Sequence, residues 1–302
     1  MTVYVAEKTM AAFEEAVRRD QGGKFREFLG VVIPTMDDAY RPESGSRTHL
    51  GASLIGRPCA RALFYGYRWA QKNNHSGRLL RLFNRGHLEE ARFIALMLAA
   101  GMQVYQQDAE GKQFRISEVG GHFGGACDGV VIGCPDVQPG MPVLTEMKTH
   151  SDKSFKKVKA KGVKEAKPEH YVQMNVYMRK LGLGAALYLA VNKNDDEIYA
   201  EILPFDPVCA DMYIDRGIRI STSIMLPERV STSPTWFECK YCESAALCWR
   251  GAMPDMNCRT CQYAEPIPDG TWRCNFHNAT IDKEQQKAGC KDYQVADYYG
   301  KE

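Results

Sequence analysis

The chain has no apolar run long enough to cross a bilayer. Its longest, Phe93 to Val104, falls well short of the roughly 20 residues a membrane helix needs, so no membrane association is expected. The start, Met1 to Lys8, has no basic segment followed by an apolar core, so no secretory signal is expected and a cytoplasmic protein is the default. No G-x-x-x-x-G-K-[ST] occurs, which argues against an ATP-driven motor on this chain. Charge of one sign is also scarce. The net charge is +2, too small to mark a nucleic-acid binder, so any basic surface has to be local.

What the chain does have is cysteine. There are eleven, and seven of them fall from Cys239 onward, several as C-x-x-C. Without an export signal, that clustering favours metal over disulfides. Hydrophobic content of 44% is ordinary for a chain that buries a core, and 302 residues allow one large domain or a core with a small module.

The stretch Val143-Leu144-Thr145-Glu146-Met147-Lys148-Thr149-His150 reads as a strand, because Val, Leu, Thr and Met suit a pleated, half-buried setting. Side chains alternate along a strand, so Glu146 and Lys148 share a face. Upstream, Asp128 stands in Gly125-Ala126-Cys127-Asp128-Gly129-Val130-Val131, an apolar setting in which a charge requires a partner, a turn or a metal. A second carboxylate on an adjoining strand makes a divalent-metal site plausible.

The remaining elements surround this pair. Val5 to Arg19 has helical spacing, ended by Gln21-Gly22-Gly23, and Asp37 to Arg47 reads as a loop. Ser53 is a candidate helix cap, and Asn84 to Ala100 reads as a long helix that carries His87, Glu89 and Glu90. Val104–Gln107, Gln113–Ile116 and 122–132 read as strands. Pro168 opens a helix with Gln173 and Tyr177 on one face. A hairpin, Ala185 to Asn192 and Glu197 to Leu203, and an amphipathic helix, Asp206 to Met225, complete the core. The order predicts an α/β protein, a mixed sheet with helices on its faces. Lys153, Lys156, Lys157, Lys159, Lys161, Lys164 and Lys167 follow the Glu146 strand directly. They read as a flap that contacts phosphates rather than as a merely solvated loop.

Two cysteine sets stand out. Cys239, Cys242 and Cys248 form C-x2-C-x5-C and lack a fourth ligand, for which Cys59 is available. Cys258 and Cys261 precede Cys274, His277 and Cys290. Cys258, Cys261, Cys274 and Cys290 are the favoured zinc ligands, with His277 as the alternate. Cys127, Cys134 and Cys209 read as small buried residues.

Gly86-x-x-x-Glu90, Asp128, Glu146-x-Lys148 and Gln173-x-x-x-Tyr177, in that order, resemble the PD-(D/E)XK nuclease superfamily, in its RecB and lambda-exonuclease branch. One upstream cysteine plus C-x2-C-x5-C is similar to the iron–sulfur nucleases of the AddB type and of CRISPR adaptation. The resemblance covers roughly residues 50 to 250. It implies a restriction-endonuclease-like mixed sheet flanked by helices, with a small Cys-rich C-terminal metal module. The division it suggests is an N-terminal helical segment and linker (1–50), a nuclease core (51–250) closed by a [4Fe–4S] cluster on Cys59, Cys239, Cys242 and Cys248, and a zinc-binding module (251–302).

It further implies Mg2+- or Mn2+-dependent hydrolysis of DNA, with Glu90, Asp128, Glu146 and the Met147 carbonyl as ligands, Lys148 managing water or charge, and Gln173 and Tyr177 positioning the strand. RecB-type enzymes often have His where this chain has Glu90, so Glu89 and His87 compete with Glu90 as the helix ligand. The motor-free layout is similar to phage or mobile-element exonucleases in recombination, repair or end processing. It suggests a separate helicase or recombinase as partner and, if phage-encoded, the host cytoplasm. The rival expectation is a non-catalytic nucleic-acid-binding module, against which the buried charges argue.

Overall fold

The computed structural model describes residues 2–39, 47–72, 75–108 and 113–300. It forms two compact units, each built from several stretches of chain. The first comprises Met1–Ser44, His75–Ile116 and Ala126–Asp211, and the second Gly45–Asn74, Ser117–Gly125 and Met212–Glu302. These units cut across the sequence-order divisions at 50 and 250. The N-terminal helices belong with the Glu146 strand, and Cys59 belongs with the C-terminal cysteines.

The first unit is a mixed six-stranded sheet flanked by helices. Its strands are β1 (Tyr4–Val5), β2 (Gln103–Tyr105), β3 (Gly129–Ile132), β4 (Val143–His150), β5 (Ala185–Asn192) and β6 (Ile198–Pro204), in the spatial order β1-β6-β5-β4-β3-β2. β4 and β5 run parallel at the centre, and the other pairs are antiparallel. The parallel pair requires a crossover. Helices α4 (Asp152–Lys161), α5 (Val163–Ala166) and α6 (Pro168–Leu181) supply it, after α1 (Glu7–Arg19), α2 (Gly23–Ala39) and α3 (Gly77–Ala99) earlier in the chain.

Both faces of the central strands are covered. Every residue of β5 is buried, as is β4 from Val143 to Met147, so neither strand shows the alternation of a half-exposed one. One face of β4, with Val143 and Met147, packs with Leu187 and Leu189 against Phe13, Val32, Ile94 and Met97 of α1, α2 and α3. The opposite face carries Glu146 and Lys148. α1 has no side-chain cap of its own. Asp136, in the loop before β4, accepts hydrogen bonds from Thr9 N and Thr9 Oγ1 at 2.7 Å each and satisfies that helix end.

Several sequence expectations change. Asp37–Ala39 close helix α2 instead of starting a loop, and positions 40–46 lie outside the described residues. Cys59, not Ser53, caps the next helix, Ala60–Tyr67, because its thiol accepts from Ala62 N at 3.4 Å. α3 starts at Gly77, seven residues before Asn84, because the Ser76 hydroxyl accepts from Leu79 N. The stretch 122–132 is two strands, Phe123–Ala126 and β3, interrupted at Cys127-Asp128. The lysine-rich stretch is not a flap. It forms α4 and α5, anchored by Phe155 and Val158, three apart and both 0% exposed.

In the second unit, Leu50–Gly51 pairs parallel with Phe123–Gly124. The strands Ala264–Pro266, Trp272–Cys274 and Ala279–Ile281 form an antiparallel three-stranded sheet near the chain end. Arg259, inside Cys258-Arg-Thr-Cys261, is 2% exposed. Its guanidinium lies 3.7 Å from the Trp69 ring centre and 4.6 Å from that of Trp272. It donates to the Thr48 and Tyr67 carbonyls and to Gln286 Oε1. Arg68, which ends the helix begun by Cys59, is 1% exposed and donates to the Arg259 and Ala264 carbonyls. The two cysteine sets are therefore joined through one helix and two buried arginines.

Candidate active site

The site grows from the register of β3 and β4. Gly129 pairs with Thr145 and Val130 with Leu144, so Asp128 falls opposite Glu146. Asp128 Oδ2 accepts a hydrogen bond from Met147 N at 3.0 Å. Gly129 explains the Asp-Gly step. It sits at φ 152°, and a Cβ there would approach the Tyr105 carbonyl oxygen to 2.9 Å. The break before β3 thus leaves Asp128 aimed at β4.

Glu146 is 0% exposed. Its Oε2 accepts from Gln173 Nε2 at 2.9 Å, and its Oε1 faces the Lys148 ammonium in a close ion pair without a further hydrogen bond. Burial pushes the Glu146 carboxyl up to about 7. Lys148 pulls it down and the Asp128 charge pushes it up again. Burial alone would lower the Lys148 pKa, but the charges of Glu146, Asp128 and Glu90 outweigh it and hold the ammonium protonated.

Three residues of α3 compete for this centre. Glu89, 8% exposed, accepts from Arg92 at 3.0 Å, so its carboxylate is committed away from β4. The Glu90 charge is felt at Lys148. His87, whose pKa is lowered by burial, feels the Asp128 charge. Glu90 and His87 therefore remain the helix candidates. A Cβ added at Gly86 would meet nothing within 4 Å, so packing does not explain that glycine.

Gln173 and Tyr177 are 6% and 2% exposed, too buried to hold a DNA strand directly. Gln173 instead fixes the Glu146 carboxylate. Among the lysines, Lys156 pairs with Asp152 at 2.9 Å, Lys159 with Glu197 and Lys161 with Glu165 at 2.5 Å each. All three, with Lys153 and Lys157, lie exposed on α4.

Beside Lys148 is a group that the sequence did not flag. Tyr188 lies across from Glu146 on β5, and its hydroxyl hydrogen-bonds His150 Nε2 at 2.8 Å and His170 Nδ1 at 2.9 Å. No spacing motif links residues from β4, β5 and α6. Burial lowers His150 to about 4 and His170 to about 2, and Lys148 and Lys167 add to both shifts. A histidine with a depressed folded pKa stabilises the fold fully above its unfolded value, near 6.5. It loses that contribution as pH falls toward the folded value. The difference in unfolding free energy between wild type and His150→Phe is therefore expected to shrink by roughly 2 kcal/mol between pH 7 and pH 4, measured by denaturant unfolding. A pH-independent difference would show that His150 titrates normally.

No disulfide joins any of the eleven cysteines. Burial raises Cys239 and Cys242, and Cys59 and Cys248 act on both, which places these four in one electrostatic neighbourhood. Burial pushes Cys258 up to about 11, followed by the charges of Cys290, Cys261 and Cys274. His277 Nε2 lies 3.9 Å from Cys290 Sγ and 3.3 Å from Asp292 Oδ2. The donor atoms of these three all lie within 4.8 Å of one another, and the four cysteines, His277 and Asp292 line one cavity. Asp292 was missed because a carboxylate two residues after a cysteine belongs to no zinc spacing pattern.

No family model matches the chain, and no curated protein does. Among solved structures, the alkaline exonuclease LHK-Exo from Laribacter hongkongensis aligns at 13% identity, covering 57% of this chain and 86% of its own, with a TM-score of 0.39. LHK-Exo in complex with dAMP gives 15% identity over the same shares and a TM-score of 0.38. SSO0001 gives 15% identity over 76% of this chain and 97% of its own, with a TM-score of 0.33.

The donor chemistry fits a hard divalent cation at the β3–β4 centre. Asp128 and Glu146 are oxygen donors, and the buried Glu146 Oε1 has the Lys148 ammonium as its partner, which leaves it lone-pair capacity for a cation. Thiols dominate the two cysteine groups, which fits a soft or borderline centre in each.

Proposed function

We propose that the chain is a Mg2+- or Mn2+-dependent deoxyribonuclease, acting as an exonuclease on DNA ends in phage-type recombination, repair or end processing. The observation that carries this reading is the buried Glu146 carboxylate, ion-paired to Lys148 and faced by Asp128 from the break just before β3. A fully buried carboxylate with a raised pKa is costly to keep without a task.

Asp128, Glu146, Glu90 and the Met147 carbonyl would hold the metal. When bound, the cation lowers the pKa of water and neutralises charge that develops on the phosphate. Gln173 orients Glu146. Lys148 stays protonated and stabilises negative charge on the scissile phosphate. The α4 lysines Lys153, Lys156, Lys157, Lys159 and Lys161 present an exposed basic face for the DNA backbone. Cys59, Cys239, Cys242 and Cys248 would carry a [4Fe–4S] cluster. Cys258, Cys261, Cys274 and Cys290, with His277 or Asp292 beside them, would hold Zn2+. A separate recombinase or helicase would supply substrate ends.

Asp128→Ala, incubated with end-labelled DNA and Mn2+ beside wild type, is expected to lose cleavage by about 10³-fold while keeping its circular dichroism spectrum. Wild-type cleavage by this variant would refute the assignment.

A further inference from the structure

The buried group behind Lys148 is a continuous hydrogen-bonded array. Ser154 Oγ lies 3.2 Å from His150 Nδ1, His150 Nε2 lies 2.8 Å from the Tyr188 hydroxyl, and that hydroxyl lies 2.9 Å from His170 Nδ1. His150 and Tyr188 are 5% and 0% exposed, and the two imidazoles stack with ring centres 6.0 Å apart. His170 occupies α6 one turn before Gln173, which bonds Glu146, so both side chains leave the same helix face. Lys148 exerts the largest charge effect on His170. The array therefore runs from Ser154 to His170, on the helix face that Gln173 presents to Glu146.

A tyrosine hydroxyl has one proton, so it can donate to only one of its two imidazoles. With both rings neutral, the array has two self-consistent directions. In one, Ser154 donates to His150 Nδ1, His150 Nε2–H donates to Tyr188, and Tyr188 donates to His170 Nδ1. His170 then carries its proton on Nε2. In the other direction every bond reverses, and His170 Nε2 becomes a bare lone pair. Beside a cationic lysine and in a site for a phosphodiester, an outward lone pair would oppose the anionic substrate and an outward N–H would bind it.

We infer that His170 is a catalytic residue, its Nε2–H donating to a non-bridging oxygen of the scissile phosphate, and that Ser154, His150 and Tyr188 are positioning residues that supply the hydrogen bonds this tautomer needs. The inference rests on the nuclease reading above. It adds an uncharged donor to a site where Lys148 is the charged one. A neutral donor to that oxygen gains strength as its charge grows in the transition state, so its loss falls more on kcat than on KM. Partners that hold an imidazole in one tautomer act on rate in the same way.

The test is steady-state cleavage by His170→Phe, His170→Gln, Tyr188→Phe and the Tyr188→Phe/His170→Phe pair, with wild type and Lys148→Ala as references. His170→Phe keeps a ring but loses both nitrogens. It is expected to lower kcat about 100-fold with KM for DNA nearly unchanged. His170→Gln places an amide N–H near the Nε2 position and is expected to recover activity to within about tenfold of wild type. Tyr188→Phe should lower kcat roughly tenfold, and the double variant should be no worse than His170→Phe, because the groups act as one unit. Wild-type kcat in His170→Phe, equal losses in Phe and Gln, or multiplied losses in the double variant would each overturn the inference. An inactive wild type, or a Lys148→Ala variant as active as wild type, would instead overturn the nuclease reading beneath it.

Discussion

Lys148→Ala is expected to lower kcat/KM for DNA cleavage by about 10³-fold or more while the protein stays folded. Two losses combine. The variant lacks the ammonium proposed to stabilise charge on the phosphate. It also removes the cation that favours the ionised form of Glu146. Glu146 is 0% exposed, with a carboxyl that burial already lifts to about 7 despite that cation. Without Lys148 it rises further and holds its proton at neutral pH. A protonated carboxyl is a poor metal ligand, so apparent Mn2+ affinity should fall together with rate. The same proton uptake protects the fold, because it removes the buried charge that an absent partner would otherwise strand. Initial rates, Mn2+ titration and a thermal melt separate these effects. Undiminished cleavage, or lost cleavage with unaltered Mn2+ affinity, would contradict this account of the pair.

Cys242→Ser is expected to abolish visible absorbance in protein purified without oxygen and to lower the unfolding midpoint on the order of 10 °C. Its thiol feels the charges of Cys59, Cys248 and Cys239, and Cys59 caps the helix that ends at Arg68. Arg68 reaches the Arg259 carbonyl inside the second cysteine pair. Loss of a ligand in the first set therefore loosens the helix on which the second set is clamped, and the fall should exceed that of an isolated surface substitution. A spectrum with visible absorbance before and after substitution would remove Cys242 from the ligand set. Colourless wild-type protein with zinc at all the cysteines would remove the cluster altogether.

How much of this was legible in the sequence depends on range. Glu146 and Lys148 were readable because a strand has period two, and Asp128 because a charge beside glycine in an apolar run needs a reason. The mixed sheet and its helical flanks followed from the order of elements. The lysine stretch misled because its charge hides a two-residue apolar stripe, Phe155 and Val158, that only the folded helix makes decisive. The start of α3 was misplaced because Ser76 is an ordinary serine until its hydroxyl finds Leu79 N. The edge strand Tyr4–Val5 is two residues long, too short for any periodicity, and exists through its pairing with Ile202 and Glu201. His150, His170 and Tyr188 meet only across β4, β5 and α6. Likewise Arg259 reads as an ordinary basic residue until Trp69 and Trp272 enclose it.

The most direct test of the central claim is digestion of end-labelled single- and double-stranded DNA by the wild-type protein with Mg2+ or Mn2+, repeated after chelation by EDTA. The account predicts label released as mononucleotides or short fragments with metal and full-length DNA with EDTA. Full-length DNA of both kinds with either metal, or cleavage unaffected by EDTA, would contradict it.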